Sequence, residues 1–166
     1  MRSNPSVRPL ASALAACAVA FTLACARTDS VSPVTIVPAA PNGDLQTRIL
    51  LVPAVNSSVW MSDALTVGNV AIDGDTLRVT VTYGGGCQRH ALQPIAETTW
   101  LESYPVQVNA RISHNAAGDL CKALITRTLH VDLSPLKDRY RETYQTTSGR
   151  IALRLAGATD VPVYAF

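Results

Sequence analysis

Two cysteines and two histidines in the second half of the chain are the residue types that form disulfides or bind transition metals. Cys87 and His90 occur in the segment GGGCQRH, and His114 and Cys121 begin and end the segment HNAAGDLC. Two thiolates and two imidazoles suit tetrahedral zinc, and copper as well. In an exported domain, an even pair of cysteines is more often oxidised to a disulfide.

These four residues support two interpretations that exclude each other, because a disulfide consumes both thiolates. We favour a structural bridge between Cys87 and Cys121. By closing the loop between them, the bridge would stabilise the fold by about 3–4 kcal/mol in the chain-entropy model. No cofactor is then expected. The alternative is a zinc or copper site with Cys87, His90, His114 and Cys121 as ligands. A thiol-redox role is the third option.

The second segment predicts a hairpin. A four-residue loop from Ala116 to Asp119 pairs Asn115 with Leu120, and therefore His114 with Cys121 on the same face. The prediction places both side chains inside one end of the fold, with Cys87 close to Cys121 and His90 nearby. Asp119 follows a glycine and is interpreted as a turn residue.

Strand patterns dominate the rest of the domain. Alternating apolar and polar residues run over 76–83, 106–112, 125–133 and 151–155, and Asp73-Gly74 is a hairpin turn signal. The sequence thus predicts an all-β domain over 45–166. We expect a β-sandwich of immunoglobulin-like architecture, with about seven or more short antiparallel strands.

One stretch fits two structures. Ser134-Pro135 can begin a helical turn. Leu136, Tyr140 and Tyr144 have helical spacing, but the tyrosines also alternate as in a strand. The prediction is a single turn followed by a strand.

The N-terminal segment predicts export. Arg2 and Arg8 precede the apolar run 10–24, and a short basic segment before such a run is typical of a secretory signal peptide. At about 15 residues, the run is shorter than the roughly 20 that a transmembrane helix needs, which disfavours the alternative of a membrane-spanning anchor. We assign 1–24 to the signal peptide.

The end of this run, Thr22-Leu23-Ala24-Cys25, resembles the bacterial lipobox, in which the cysteine is acylated and becomes the N-terminus. Leu14-Ala15-Ala16-Cys17 also fits that pattern, but cleavage before Cys17 leaves only about seven apolar residues, so Cys25 is preferred. A diacylated Cys25 would hold the protein to a membrane. Residues 25–44 contain three prolines and are predicted to form an extended tether.

Charge excludes one class of partner. Once Arg2 and Arg8 leave with the signal peptide, the mature chain balances twelve basic against twelve acidic residues, without a basic run. Nucleic acid binding needs clustered positive charge, so we expect no nucleic-acid partner. The charge balance does not exclude a protein or a small molecule as the ligand.

Enzyme signatures are missing from the sequence, which has no Gly-x-Ser-x-Gly elbow and no His-Glu-x-x-His motif. We therefore expect no catalytic residues.

Four motifs, TYGGGCQRH, WLESYPVQVNARISHN, GDLCKALI and DLSPLK, resemble those of an uncharacterised family of exported bacterial β-rich domains. The resemblance implies a small lipoprotein or secreted module. The predicted function is an envelope-anchored lipoprotein with a non-enzymatic binding or structural domain, and the alternative is a metal-binding lipoprotein. Ala26 after Cys25 resembles the sorting signal for the outer membrane of some Gram-negative bacteria.

Overall fold

The computed structural model describes residues 44–53 and 60–166. The predicted signal peptide 1–24, both candidate lipidation sites, Cys17 and Cys25, and the tether up to residue 43 lie outside the described residues. Within the described part, no helix combines the length and apolar character needed to cross a membrane.

Nine strands and one helix form the described part of the chain. The strands are β1 (Leu45–Arg48), β2 (Leu50–Val52), β3 (Thr66–Asp73), β4 (Thr76–Gly85), β5 (Ala91–Glu97), β6 (Val106–Asn115), β7 (Ala123–Asp132), β8 (Arg150–Leu155) and β9 (Val163–Ala165), and the helix is α1 (Ser134–Tyr144). The predicted predominance of strands is confirmed. The Asp73-Gly74 signal is confirmed as well, because Asp73 pairs with Thr76 across the turn between β3 and β4.

The strands form two sheets. The first has the order β1-β7-β4-β3 and the second the order β2-β5-β6-β8-β9. Three neighbouring pairs, β1 with β7, β2 with β5, and β6 with β8, are parallel. The prediction of antiparallel strands therefore holds for the other four neighbouring pairs and was wrong for these three. Parallel neighbours need a crossover, and here the chain between β6 and β8 passes through β7 and α1. The immunoglobulin-like arrangement stays a prediction.

One apolar core lies between the two sheets. Val79 and Leu129 come from the first sheet and Val108 and Leu153 from the second, and each is at most 1% exposed. All four occupy inward positions of the predicted alternation, which repeats every second residue. The alternation thus identified the buried face of each of these strands.

The helix corrects the prediction of a single turn followed by a strand. α1 runs for three turns and ends at Tyr144, and the residue that caps it, Gln145, has a left-handed backbone conformation. Leu136 is buried, and Tyr140 and Tyr144 pack against the core from the same face. The helical spacing of these three residues was the correct signal. Their alternation was accidental.

Candidate functional site

The two cysteines of the described domain are bonded to each other. Cys87 and Cys121 form a disulfide with Cα atoms 5.9 Å apart, a usual separation for such a bond. Their loops lie just beyond the last pair of β4 with β7, Gly85 opposite Ala123. This pairing agrees with the favoured interpretation, and it leaves neither sulfur free for a four-ligand metal site in the oxidised protein.

The predicted hairpin between His114 and Cys121 was wrong. His114 lies in β6 of the second sheet, opposite Leu92 of β5, whereas β7 belongs to the first sheet. The chain after Asn115 therefore crosses from one sheet to the other instead of turning back. Both sides of β6 are already paired, with β5 and β8, so no edge was left for β7. His114 does point inward and is 1% exposed.

Asp119 is the centre of the site, a role that its interpretation as a turn residue missed. Its Oδ2 atom accepts hydrogen bonds from the backbone N–H groups of Gly86, Cys87 and Gln88, each at 2.8 Å. Its Oδ1 atom accepts one from the N–H of Cys121 at 2.9 Å. The bonds from Cys121 and Gln88 above all lower the pKa of the Asp119 carboxyl far below its ordinary value of 3.8. Asp119 is thus a charged anchor for both sides of the disulfide.

The two histidines extend this anchor into the fold. His90 Nε2 lies 3.2 Å from Asp119 Oδ2, and His90 Nδ1 lies 2.8 Å from His114 Nε2. His114 Nδ1 contacts the carbonyl oxygens of Asp63 at 3.2 Å and Ala64 at 3.1 Å. The side chains of His90 and Asp119 are 2% and 0% exposed, so the chain of contacts is closed to solvent.

Hydrogen-bond rules set the direction at the inner end of this chain of contacts. Carbonyl oxygens only accept, so His114 Nδ1 donates toward Asp63 and Ala64. The contacts thus join the Asp119 carboxylate, through the two imidazoles, to backbone carbonyl groups of the segment before β3.

Packing holds the imidazoles in place. The ring of Tyr83 lies 4.8 Å from that of His90 and 4.9 Å from that of His114, between centroids. Tyr83 is itself held by a hydrogen bond from Arg127 Nε to its hydroxyl. A Cβ atom added at Gly85 would lie 2.5 Å from His90 Nε2. Gly85 allows the His90 ring to lie this close to the backbone, because any side chain at this position would displace the imidazole.

The arrangement is built for holding the loop. Asp119, His90 and His114 use their polar atoms on one another and on backbone groups, and their burial denies a substrate access. Cys87, Asp119 and Cys121 do present potential ligand atoms within 4.8 Å of one another. Reduction of the bridge would therefore be required before a metal could bind there. His90 and His114 are outside that group.

A signal for Asp119 was present in the sequence. It lies two residues before Cys121, so a bridge to Cys87 brings it close to the glycine run. Consecutive N–H groups of a glycine-rich loop need an acceptor, and a nearby carboxylate supplies one. Asp63 was also missed. Its Oδ2 atom accepts from the N–H of Ala116 at 2.6 Å and so ties down the start of the crossing segment.

No family model and no curated protein matches the chain. Among solved structures, a NigD-like immunity protein from Bacteroides caccae is similar, with a TM-score of 0.51 and 15% identity over 75% of this chain and 59% of that one. A protein of unknown function (DUF1344) from Bacteroides vulgatus gives 0.43 and 12% over 75% and 56%. A toxin-related protein from Parabacteroides distasonis gives 0.46 and 17% over 74% and 61%.

The chain spans less than two thirds of the length of each of these structures. The similarity to the NigD-like protein concerns the fold alone. The class that fold and comparison define is a small, β-rich protein with two sheets and a single helix in its described part.

Proposed function

We propose that this protein is a lipid-anchored module of the bacterial cell envelope whose folded domain, 45–166, acts by binding and not by catalysis. The observation that carries the proposal is the bond between Cys87 and Cys121. Disulfides persist in oxidising compartments outside the cytosol, which is where the N-terminal signal would send the chain. Resemblance of the sequence motifs to exported bacterial domains points the same way.

The non-enzymatic part rests on how the polar residues are used. Three groups with the chemistry of a general acid or base, His90, His114 and Asp119, are consumed in the buried network described above. That network contains no hydroxyl or thiol nucleophile beside a histidine. It therefore acts on the shape of the loop, and ligand recognition falls to other surfaces of the domain.

Lipidation is tested by metabolic labelling with a fatty-acid analogue in an expressing bacterium. We expect wild type to be labelled and Cys25→Ser to lose the label, while Cys17→Ser keeps it. Label that survives in Cys25→Ser and disappears in Cys17→Ser would move the anchor to Cys17. Absence of label from all three would remove the lipoprotein proposal. Separating inner and outer membranes then tests the outer-membrane location that Ala26 suggests.

Metal binding is the second candidate, and it rests on the convergence of Cys87, Asp119 and Cys121. Metal binding requires free thiols, so the reduced protein should bind the metal and the oxidised protein should not. Intact mass without reductant should show the loss of two hydrogens that a bridge produces. Stoichiometric zinc or copper in the protein as isolated, together with two free thiols, would replace the disulfide interpretation.

A further inference from the structure

The outward face of the five-stranded sheet contains a cavity of about 500 Å³. Pockets for small molecules are typically about 300–1,000 Å³, so this one has the size of a ligand site. Its position follows from the strand alternation. Asn109 and Arg111 of β6 alternate with Val108, Ala110 and Ile112, which point into the core, so the first two lie on the opposite face.

Apolar side chains make up much of the wall. Ile95 of β5 is directly opposite Arg111 in the antiparallel pair and shares its face. Val52 comes from β2, and Ala156, Ala158 and Val161 come from the segment after β8. A ligand body in contact with these groups would be apolar.

Arg111 is the polar feature that needs an explanation. Its Nε and Nη2 atoms are buried, and among the described residues neither has a hydrogen-bond partner. Leaving buried donors of a charged group unpaired is costly, so such groups are normally matched by an acceptor. The carboxylates in the lining do not supply one, since Glu97 accepts from Asn109 Nδ2 at 3.0 Å and Asp160 does not pair with these atoms either.

We propose that this cavity binds a carboxylate attached to an apolar group, with the Nε and Nη2 atoms of Arg111, turned into the cavity by a side-chain rotation as the ligand enters, as its anion-binding fork. This rests on the proposed function in taking the domain as a binding module, and it names the class of ligand. Adjacent guanidinium donors match the two oxygens of a carboxylate in a bidentate pair. Glu97 and Asp160 would repel a doubly charged phosphate, and Arg154, also in the lining, balances one of these two acids.

The probes are 4-methylpentanoate and its uncharged amide, 4-methylpentanamide. The full chain, purified in a mild detergent, is titrated with each probe while NMR follows the Arg111 Nε–H resonance. We expect the acid to shift this resonance in a saturable way. The amide should bind roughly ten- to hundredfold more weakly, because it cannot form the charge-assisted pair of hydrogen bonds. Inorganic phosphate should bind more weakly than the acid.

Variants locate the site. Arg111→Met keeps a long apolar side chain but removes the fork, and it should abolish the preference for acid over amide. Arg150→Met is the matched control, because Arg150 is an exposed residue of β8 outside the cavity lining. It should bind the acid as wild type does. Equal binding of acid and amide, no saturable binding of the acid, or acid binding retained in Arg111→Met would each overturn the proposal.

Two further probes distinguish the sources of such a carboxylate. The dipeptide acetyl-glycyl-leucine with a free C-terminus, compared with its C-terminal amide, represents the end of a protein chain. Tighter binding of the dipeptide acid than of 4-methylpentanoate would favour a protein C-terminus, and the reverse would favour a small free acid. Neither result depends on lipidation, so the outcome is separate from the labelling experiment.

Discussion

His90 Nε2 lies 3.2 Å from the Oδ2 atom of Asp119, and both side chains are closed to solvent. Through this contact, one carboxylate joins the disulfide loop, the glycine run and the interior of the fold. Asp119 also receives four backbone N–H groups from the two chain segments that the disulfide joins. The disulfide and the hydrogen bonds of Asp119 therefore fix the same loop in two independent ways.

Replacing Asp119 by asparagine should destabilise the protein and loosen this loop. The amide is neutral, so it loses the charge that strengthens the four backbone hydrogen bonds to Asp119. We expect the melting temperature to fall by several degrees and the amides of Gly86, Cys87 and Gln88 to exchange faster with solvent. Asp138→Asn is the control, since Asp138 is exposed on α1. Equal effects of the two substitutions would contradict the anchoring role.

Acid should weaken the fold through the same residue. Because backbone hydrogen bonds hold the pKa of Asp119 below 3.8 in the folded protein, its contribution is fully present above that pH. As the pH falls below 3.8, the unfolded chain binds the proton first and stability declines. Urea unfolding at stepped pH should show a steeper decline for wild type than for Asp119→Asn. Asp75, whose pKa is also lowered, chiefly by a hydrogen bond from Lys137, adds a decline that is the same in both proteins. Parallel curves would argue against a lowered Asp119 pKa.

A methyl group at Gly85 should be poorly tolerated. Gly85 has a φ of 150°, and its added Cβ would meet the His90 ring. Gly85→Ala is expected to cost about 1–3 kcal/mol from backbone strain and displacement of the imidazole. Gly84→Ala is the neighbouring control, because a Cβ there meets no atom within 4 Å. Chemical denaturation measures the free energy of unfolding of both variants. If Gly85→Ala loses no more stability than Gly84→Ala, the His90 ring moves aside easily.

Removing the disulfide should cost about 3–4 kcal/mol, the chain-entropy value for a loop of this length. The double variant Cys87→Ser/Cys121→Ser tests it by urea unfolding. Wild type measured with and without reductant gives the matched comparison, and its loss on reduction should be similar. A loss well below this range would mean that the folded loop gains freedom once the bridge is gone, and would contradict a loop held closed by the Asp119 network.

Arg111→Met should make the protein more stable in the absence of ligand. Two buried donors without partners are removed while the apolar stem is kept, so a gain of about 1 kcal/mol or more is expected. Arg150→Met, on the exposed part of β8, should change stability little. Thermal unfolding of both variants in carboxylate-free buffer is the measurement. Destabilisation by Arg111→Met would mean that Arg111 has a structural partner in solution.

The sequence by itself determined which residues of a strand share a face. The alternation in β4, β6, β7 and β8 identified the buried side chains, because a strand repeats every two residues whatever lies beside it. Asp73-Gly74 set the turn between β3 and β4, since its conformation is local. The expectation that Cys87 and Cys121 pair likewise needed only the type of compartment and the cysteine count.

Only the tertiary structure decided which strands lie next to one another. His114 and Cys121 are seven residues apart, yet β6 and β7 enter different sheets, because pairing depends on edges supplied by distant segments such as β5 and β8. The role of Asp119 depended on that arrangement. The burial of Arg111 depended on it too, although the alternation in β6 correctly marked Arg111 as outward-facing. What covers an outward face is set by other parts of the chain, so strand periodicity does not encode it.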